Sequence, residues 1–311
     1  MSNLTVVMYH YVRELATSRY PGIKGLELSR FQSQLGYLRE NFQFVTMGEV
    51  GHSLRTGDRL PDRAALLTFD DGYIEHYELC FPILVDAGIE GSFFPPVAPV
   101  RDRVLLDVNR VHFILAVKDS ETLAAAIDRY VEERREDFGL QPVAHYRNQW
   151  AKPNRFDDAE TIYVKRMLQV ALPEALRNRI AKELFGQFVA RDEDEFSAEL
   201  YCSEQQFREM QAAGMYVGSH GCDHVWLNAV DASKQEQEVL GSLEFLRSIG
   251  SPVDDYWAMA YPYGGWNESL LAILRKAGCV AGFTTESAVA SLDKHLPLLL
   301  PRLDTNDLPV S

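Results

Sequence analysis

The chain of 311 residues has no stretch approaching the about 20 consecutive apolar residues of a membrane-spanning helix. Its run from Leu296 to Leu303 is broken by prolines and a charge. Cysteine is scarce: Cys80, Cys202, Cys222 and Cys279 are scattered and form no C-x-x-C pair, which argues against a disulfide scaffold and for a reduced compartment. The opening residues, MSNLTVVMYHYV, carry no basic leader, and their apolar run is too short for a signal-peptide core. These features lead to the expectation of a cytoplasmic protein without a transmembrane segment, with peripheral membrane association left open. Positive charge is also in short supply. Lys and Arg number 31 against 45 Asp and Glu, a formal net charge of -14. That balance argues against a nucleic-acid partner, because such binding rests on neutralising phosphates. Neither proline nor glycine is in excess, and no repeat or low-complexity tract is present.

What remains is an ordinary globular composition, 46% hydrophobic and 24% charged, on a chain long enough for one large domain or two modest ones. Short apolar runs end abruptly in polar or glycine-containing segments. Leu4 to Tyr9 stops at His10, Ala64 to Phe69 at Asp70, Met215 to Ser219 at His220, and Tyr256 to Tyr261 at Pro262. Continuous apolar runs of this length read as strands buried on both faces, as in parallel sheets. Amphipathic helices lie between them. Ser203 and Gln206 form a capping box for SEQQFREMQAAG, with Gly214 as its stop, Ser29 opens SRFQSQLGYLREN, and Gly278 closes the segment from Trp266 to Ala277. Alternating strands and helices give an α/β fold.

The middle of the chain differs. From Arg101 there is little strand signal, while stretches such as SETLAAAIDRYVEERRE and EALRNRIAKELFGQFV are helical and dense with charge. Residues 101–199 are therefore expected to form a mostly helical insertion in an α/β domain built from 1–100 and 200–311.

Four strand ends carry chemistry. Thr68-Phe69-Asp70-Asp71-Gly72-Tyr73 places two adjacent carboxylates at the end of a buried strand, where like charges repel and each needs partners. Such positions form the active site in parallel α/β barrels. His220-Gly221-Cys222-Asp223-His224 follows another strand and contains glycine, so a loop wrapping one ion is expected rather than a helix. Its two imidazoles and an aspartate from the first segment make a two-His, one-carboxylate set with open coordination positions. Cys222 is a rival ligand. In Ala260-Tyr261-Pro262-Tyr263-Gly264-Gly265 the proline fixes a turn, and a backbone N–H there can face a developing oxyanion. His10 ends the first strand and is a candidate proton donor.

Together these residues resemble the polysaccharide deacetylase family with the NodB homology domain, carbohydrate esterase family 4. TFDDGY (68–73) is similar to its first motif, HGCDH (220–224) to its second with Gly221 in place of Ser or Thr, and AYPYGG to its third with Ala260 in place of arginine. No D-x-x-D-W and no late L-x-H follow. The resemblance covers roughly residues 4–100 and 200–305. It implies a distorted (β/α) TIM-like barrel, with Asp71, His220 and His224 as ligands of a divalent metal, expected to be Zn2+, and Asp70 as general base. A circularly permuted branch carries its acid in an N-terminal Y-H motif similar to MYHYV, which assigns that role to His10. Arg302 in LLLPRLD stands in for the missing arginine. DVNRVHF (107–113) lies in the inserted segment, where His112 reads as a packing residue.

The implied reaction removes an N-acetyl group from an amino sugar. Asp70 takes a proton from attacking water, the backbone N–H of Tyr263 faces the oxyanion, and His10 protonates the leaving amine. Without a leader, the expected substrate is a carrier-linked or oligosaccharide intermediate of surface polysaccharide assembly, such as capsule or O-antigen. Two rivals stand beside this reading. One is a deformylase or other amide hydrolase of the same fold. The other is a catalytically inactive carbohydrate-binding protein.

Overall fold

The β-branched run near the start of the chain forms strand β1 (Asn3–Tyr9), buried at six of its seven residues. In the computed structural model, which describes residues 3–155 and 157–309, its neighbour is β2 (Ala64–Asp70), buried throughout. The two run parallel from Leu4 opposite Ala64 to Tyr9 opposite Phe69. Further parallel pairings add β3 (Gly91–Phe94) to β2 and β4 (Tyr216–Val217) to β3. On the other side, β5 (Trp257–Ala260) pairs with β6 (Cys279–Phe283), and β7 (Leu303–Asp304) pairs with β1.

Isolated bridges join these two arcs. Ser219 N–H donates to Ala258 O and Ala260 N–H donates to Ser219 O, both at 3.0 Å, carrying the sheet from the end of β4 to β5. Thr284 N–H donates to Leu300 O at 2.9 Å and Leu300 N–H to Gly282 O at 2.8 Å, carrying it from β6 to the approach to β7. The hydrogen-bonded circuit β1-β2-β3-β4-β5-β6-β7-β1 is thus an all-parallel, irregular barrel. A ring of this kind buries both faces of its strands, which is why they are apolar without alternation.

Helices supply the outer layer of this unit. Glu204–Ala212 starts at a complete Ser203–Gln206 capping box, and the chain turns at Gly214 with φ 91°. Leu28–Asn41 begins one residue before Ser29 and has Glu27 at its cap without a side-chain hydrogen bond. The short pairing of Leu26–Glu27 with Val12–Arg13 delivers the chain directly into that helix, so no serine cap is used. Glu268–Lys276 is capped by Asn267, which leaves Trp266 exposed ahead of it. Strand β4 is shorter than Met215 to Ser219, because Ser219 leaves its β3 partner to bond β5.

The chain divides into two compact units: residues 1–14, 25–104 and 198–311 in one, residues 15–24 and 105–197 in the other. The second is helical, with Asp107–Val117, Ser120–Glu133, Ala159–Arg166 and Glu174–Phe188 as its longer elements. It differs from the 101–199 expectation in including Leu15–Lys24. The reason is aromatic packing: Tyr20 meets Phe113 edge-on at 5.0 Å and Phe196 at 5.8 Å, and Phe185 also packs on Phe196. His112 is half-buried on Asp107–Val117. No helix among the described residues is long and apolar enough to cross a membrane.

Candidate active site

The strand ends of the barrel unit bring Asp71, His220 and His224 together. One ligand-capable atom from each lies within 4.8 Å of the others, and all three residues are buried. Asp71 follows the last residue of β2 with φ 73°, and its N–H donates to Phe94 O at 3.1 Å. Gly72 comes next with φ 69°, and a Cβ on it would lie 2.9 Å from Pro95 Cβ, so the Asp-Asp-Gly order answers to the space available. His224 (φ 52°) and Tyr263 (φ 57°) share the left-handed backbone region with Asp71. Side-chain-bearing residues held there cost free energy and collect at functional sites.

The donor set fits a cation. His220 Nδ1 lies 2.7 Å from Ala260 O, and a carbonyl only accepts, so Nδ1 carries a proton and Nε2 is the nitrogen turned toward Asp71. That Nε2 is 3.3 Å from Asp71 Oδ1, and His224 Nε2 is 3.2 Å from the same oxygen. Asp71 Oδ1 has no hydrogen-bond partner among the described residues. Its other oxygen, Oδ2, accepts from the buried Tyr73 hydroxyl at 2.7 Å. Two buried imidazole nitrogens and a carboxylate oxygen converging on one point suit an ion bound through two imidazoles and one carboxylate.

Electrostatics agree. Burial works against ionising Asp71, yet the facing imidazoles of His220 and His224 outweigh it and hold the carboxyl well below its usual range. Burial alone would lower His220, but Asp71 and Asp70 raise it, so the centre favours positive charge. His224, for which burial is the dominant influence, is lowered.

Asp70 has a separate partner. Arg302 Nη1 donates to Asp70 Oδ1 at 2.9 Å and Nη2 to Oδ2 at 2.7 Å. The guanidinium is 1% exposed and also donates to Thr284 O through Nε and to Thr68 Oγ1 through Nη1. Burial raises the Asp70 carboxyl, but the Arg302 charge and then His220 outweigh it, and the net shift is downward. The two adjacent aspartates therefore stay ionised by different means.

His10 sits at the end of β1, half-buried, and its charge acts on both Asp70 and Asp71. Sequence reasoning missed the group that holds this turn. His76 Nε2 donates to His10 O at 2.8 Å, and burial pushes its pKa down to about 4, so the imidazole stays neutral. Tyr263 packs edge-on against His224 at 4.6 Å and stacks on Trp226 at 4.4 Å. The rival Cys222 turns away, its thiol donating to Glu238 O at 3.4 Å.

The chain is similar to several known proteins. A family model described as polysaccharide deacetylase matches residues 175–282. A Bacillus subtilis (strain 168) protein, YxkH, provisionally named a polysaccharide deacetylase, is 19% identical over 296 residues, covering 95% of this chain and 69% of that one. Over residues 175–282 the chain is similar to polysaccharide deacetylases. The poly-beta-1,6-N-acetyl-D-glucosamine N-deacetylase of Escherichia coli (strain K12) is 35% identical over 85 residues, spanning 27% of this chain and 12% of that protein. Among solved structures, the Streptococcus pyogenes deacetylase PplD in complex with acetate aligns with a TM-score of 0.58 at 17% identity. The alignment covers 97% of this chain and 92% of that one, a likeness of fold. In parallel α/β barrels, residues past the C-terminal strand ends form the active site.

Proposed function

We propose that the protein is a metal-dependent hydrolase that removes an N-acetyl group from an amino sugar. The observation that carries this reading is the pairing of a buried carboxylate–imidazole cluster with a second, arginine-held carboxylate on the adjacent residue. Asp71, His220 and His224 would hold a divalent ion, with Zn2+ favoured by the nitrogen-rich donor set. When bound, such an ion acidifies water and polarises a carbonyl.

The chain's own groups supply the rest. Asp70 is locked by Arg302 in one orientation, and a carboxylate has about four lone-pair positions, so it retains capacity to accept a proton from attacking water. His10, in the electrostatic field of both aspartates, gives a proton to the departing amine, which cannot leave as an anion. The Tyr263 backbone N–H faces the developing oxyanion from the turn after β5. The products are acetate and a free amino sugar. Arg302 takes the place of the arginine absent at Ala260, and His10 on the first strand acts as the acid, as in a circularly permuted member of the family. For the substrate we favour a carrier-linked or oligosaccharide intermediate of surface polysaccharide assembly, handled in the cytoplasm.

Incubating the protein with a panel of N-acetylated amino-sugar oligomers and carrier-linked sugars, with and without chelator, tests this. Acetate release that chelation stops and Zn2+ restores is the expected result. Release of formate from N-formylated sugars alone would shift the reading to a deformylase. Sugar binding with no acid released under any metal would overturn it.

A further inference from the structure

The second histidine segment reads His220-Gly221-Cys222 where the family's second motif has Ser or Thr after the first histidine. The structure supplies a reason. Gly221 has φ 72°, and a Cβ built on it would lie 2.9 Å from Glu238 Oε2. Glu238 comes from the following helix, Ala232–Ser248, and is 1% exposed. Its Oε2 accepts the backbone N–H of Cys222 at 2.7 Å and that of Asp223 at 3.0 Å. Those two residues are the middle of the loop whose ends are His220 and His224. The other oxygen pairs with Lys234 Nζ at 2.9 Å, and Lys234 also reaches Asp223 Oδ2 at 2.6 Å. A buried carboxylate is costly unless paired and hydrogen-bonded, and here all its strong contacts go to this loop and its own helix. The His224 conformation adds to the case: φ 52° on a side-chain-bearing residue persists only where surroundings over-determine it.

We infer that Glu238 is a positioning residue for the metal centre, its carboxylate fixing the His220–His224 loop from behind so that both imidazoles converge on Asp71. This rests on the metal-dependent reading above. Glycine at 221 and glutamate at 238 form one device, because the carboxylate occupies the space a side chain at 221 would need. Reach, rather than charge alone, is what the device requires. Glutamine can still bring an acceptor oxygen to the two N–H groups, aspartate is one methylene short, and alanine offers nothing.

Zn2+ affinity of the full chain, measured by chelator competition on Glu238→Gln, Glu238→Asp and Glu238→Ala, decides the question. The expected order is glutamine close to the parent, with aspartate and alanine weaker by about 10–100-fold, the span typical of groups that orient metal ligands. If the alanine variant does not fold, aspartate against glutamine carries the comparison. Aspartate binding as the parent while glutamine fails would mean that charge alone matters and would overturn the inference, as would unchanged affinity in all folded variants. A parent chain that binds no Zn2+ would instead remove the metal reading on which the inference stands.

Discussion

Arg302 and Asp70 meet in two parallel hydrogen bonds, 2.9 and 2.7 Å, across 232 residues of sequence. The fork of the guanidinium matches the carboxylate plane, and both groups are almost wholly buried. Such a pair fixes direction as well as charge. It leaves Asp70 one orientation at the mouth of β2, next to a carboxylate that faces two imidazoles instead.

Removing one side of this pair should be worse than removing both. Arg302→Met leaves a lone buried carboxylate, and losses of about 3–5 kcal/mol are usual for that. Adding Asp70→Asn in the same chain should recover part of the stability, read by urea denaturation. Arg302→Lys keeps charge without the fork, so deacetylation should still fall sharply. A lysine variant as active as the parent would show that orientation is not what Arg302 provides.

Asp70→Asn should separate metal binding from turnover. We expect Zn2+ content near one per chain, as a single site implies, and a fall in kcat of about 10²–10⁴-fold. Elemental analysis and acetate release on the same preparation check both. Loss of the ion together with activity would reassign Asp70 as a ligand.

Tyr73→Phe removes the hydroxyl that donates to Asp71 Oδ2 at 2.7 Å, a single oxygen lost from a buried aromatic stack. Zn2+ affinity should weaken by about tenfold or more, as is usual when a ligand's orienting partner is lost. Chelator titration reads this independently of catalysis.

Glu90 sets a pH dependence of stability away from the site. Its carboxyl accepts Met47 N–H at 2.7 Å, and burial pushes its pKa up to about 7. The folded chain therefore holds this proton more tightly than the unfolded chain. Its contribution is full below the ordinary glutamate value and is lost as pH rises through 7. Unfolding free energy should decline between pH 5 and 7.5 in the parent, and Glu90→Gln should flatten that decline. A slope unchanged by the substitution would assign the effect elsewhere.

The elements that could be read in advance are those whose local chemistry is self-sufficient. The apolar strands β1 and β2, the Ser203–Gln206 cap and the residues at the strand ends announce themselves within a few positions. The structure gathers Asp71, His220 and His224 as the motif spacing leads one to expect. Arg302 is different, because LLLPRLD reads as a proline-broken loop, and only the resemblance to a family with an arginine singled it out. A barrel is expected from the family resemblance alone, and nothing in the residues themselves marks where it closes. Closure depends on bridges of single residues such as Ser219 with Met259, too short to carry a periodicity. Glu238 and His76 were equally silent, a charged residue on a helix reading as a solvated face and a lone histidine as packing. Leu15–Lys24 joined the helical unit through Tyr20, whose aromatic partners lie far along the chain.

The closing of the ring through β7 has a temporal consequence. Arg302 immediately precedes the strand that docks beside β1, so Asp70 acquires its counter-charge only when that strand is seated. A refolding chain that has assembled β1 to β4 but not β7 holds a desolvated, unpaired carboxylate and lacks a competent base. Recovery of activity after denaturation should therefore trail recovery of far-ultraviolet dichroism, with hydrolysis starting at the moment the ring locks.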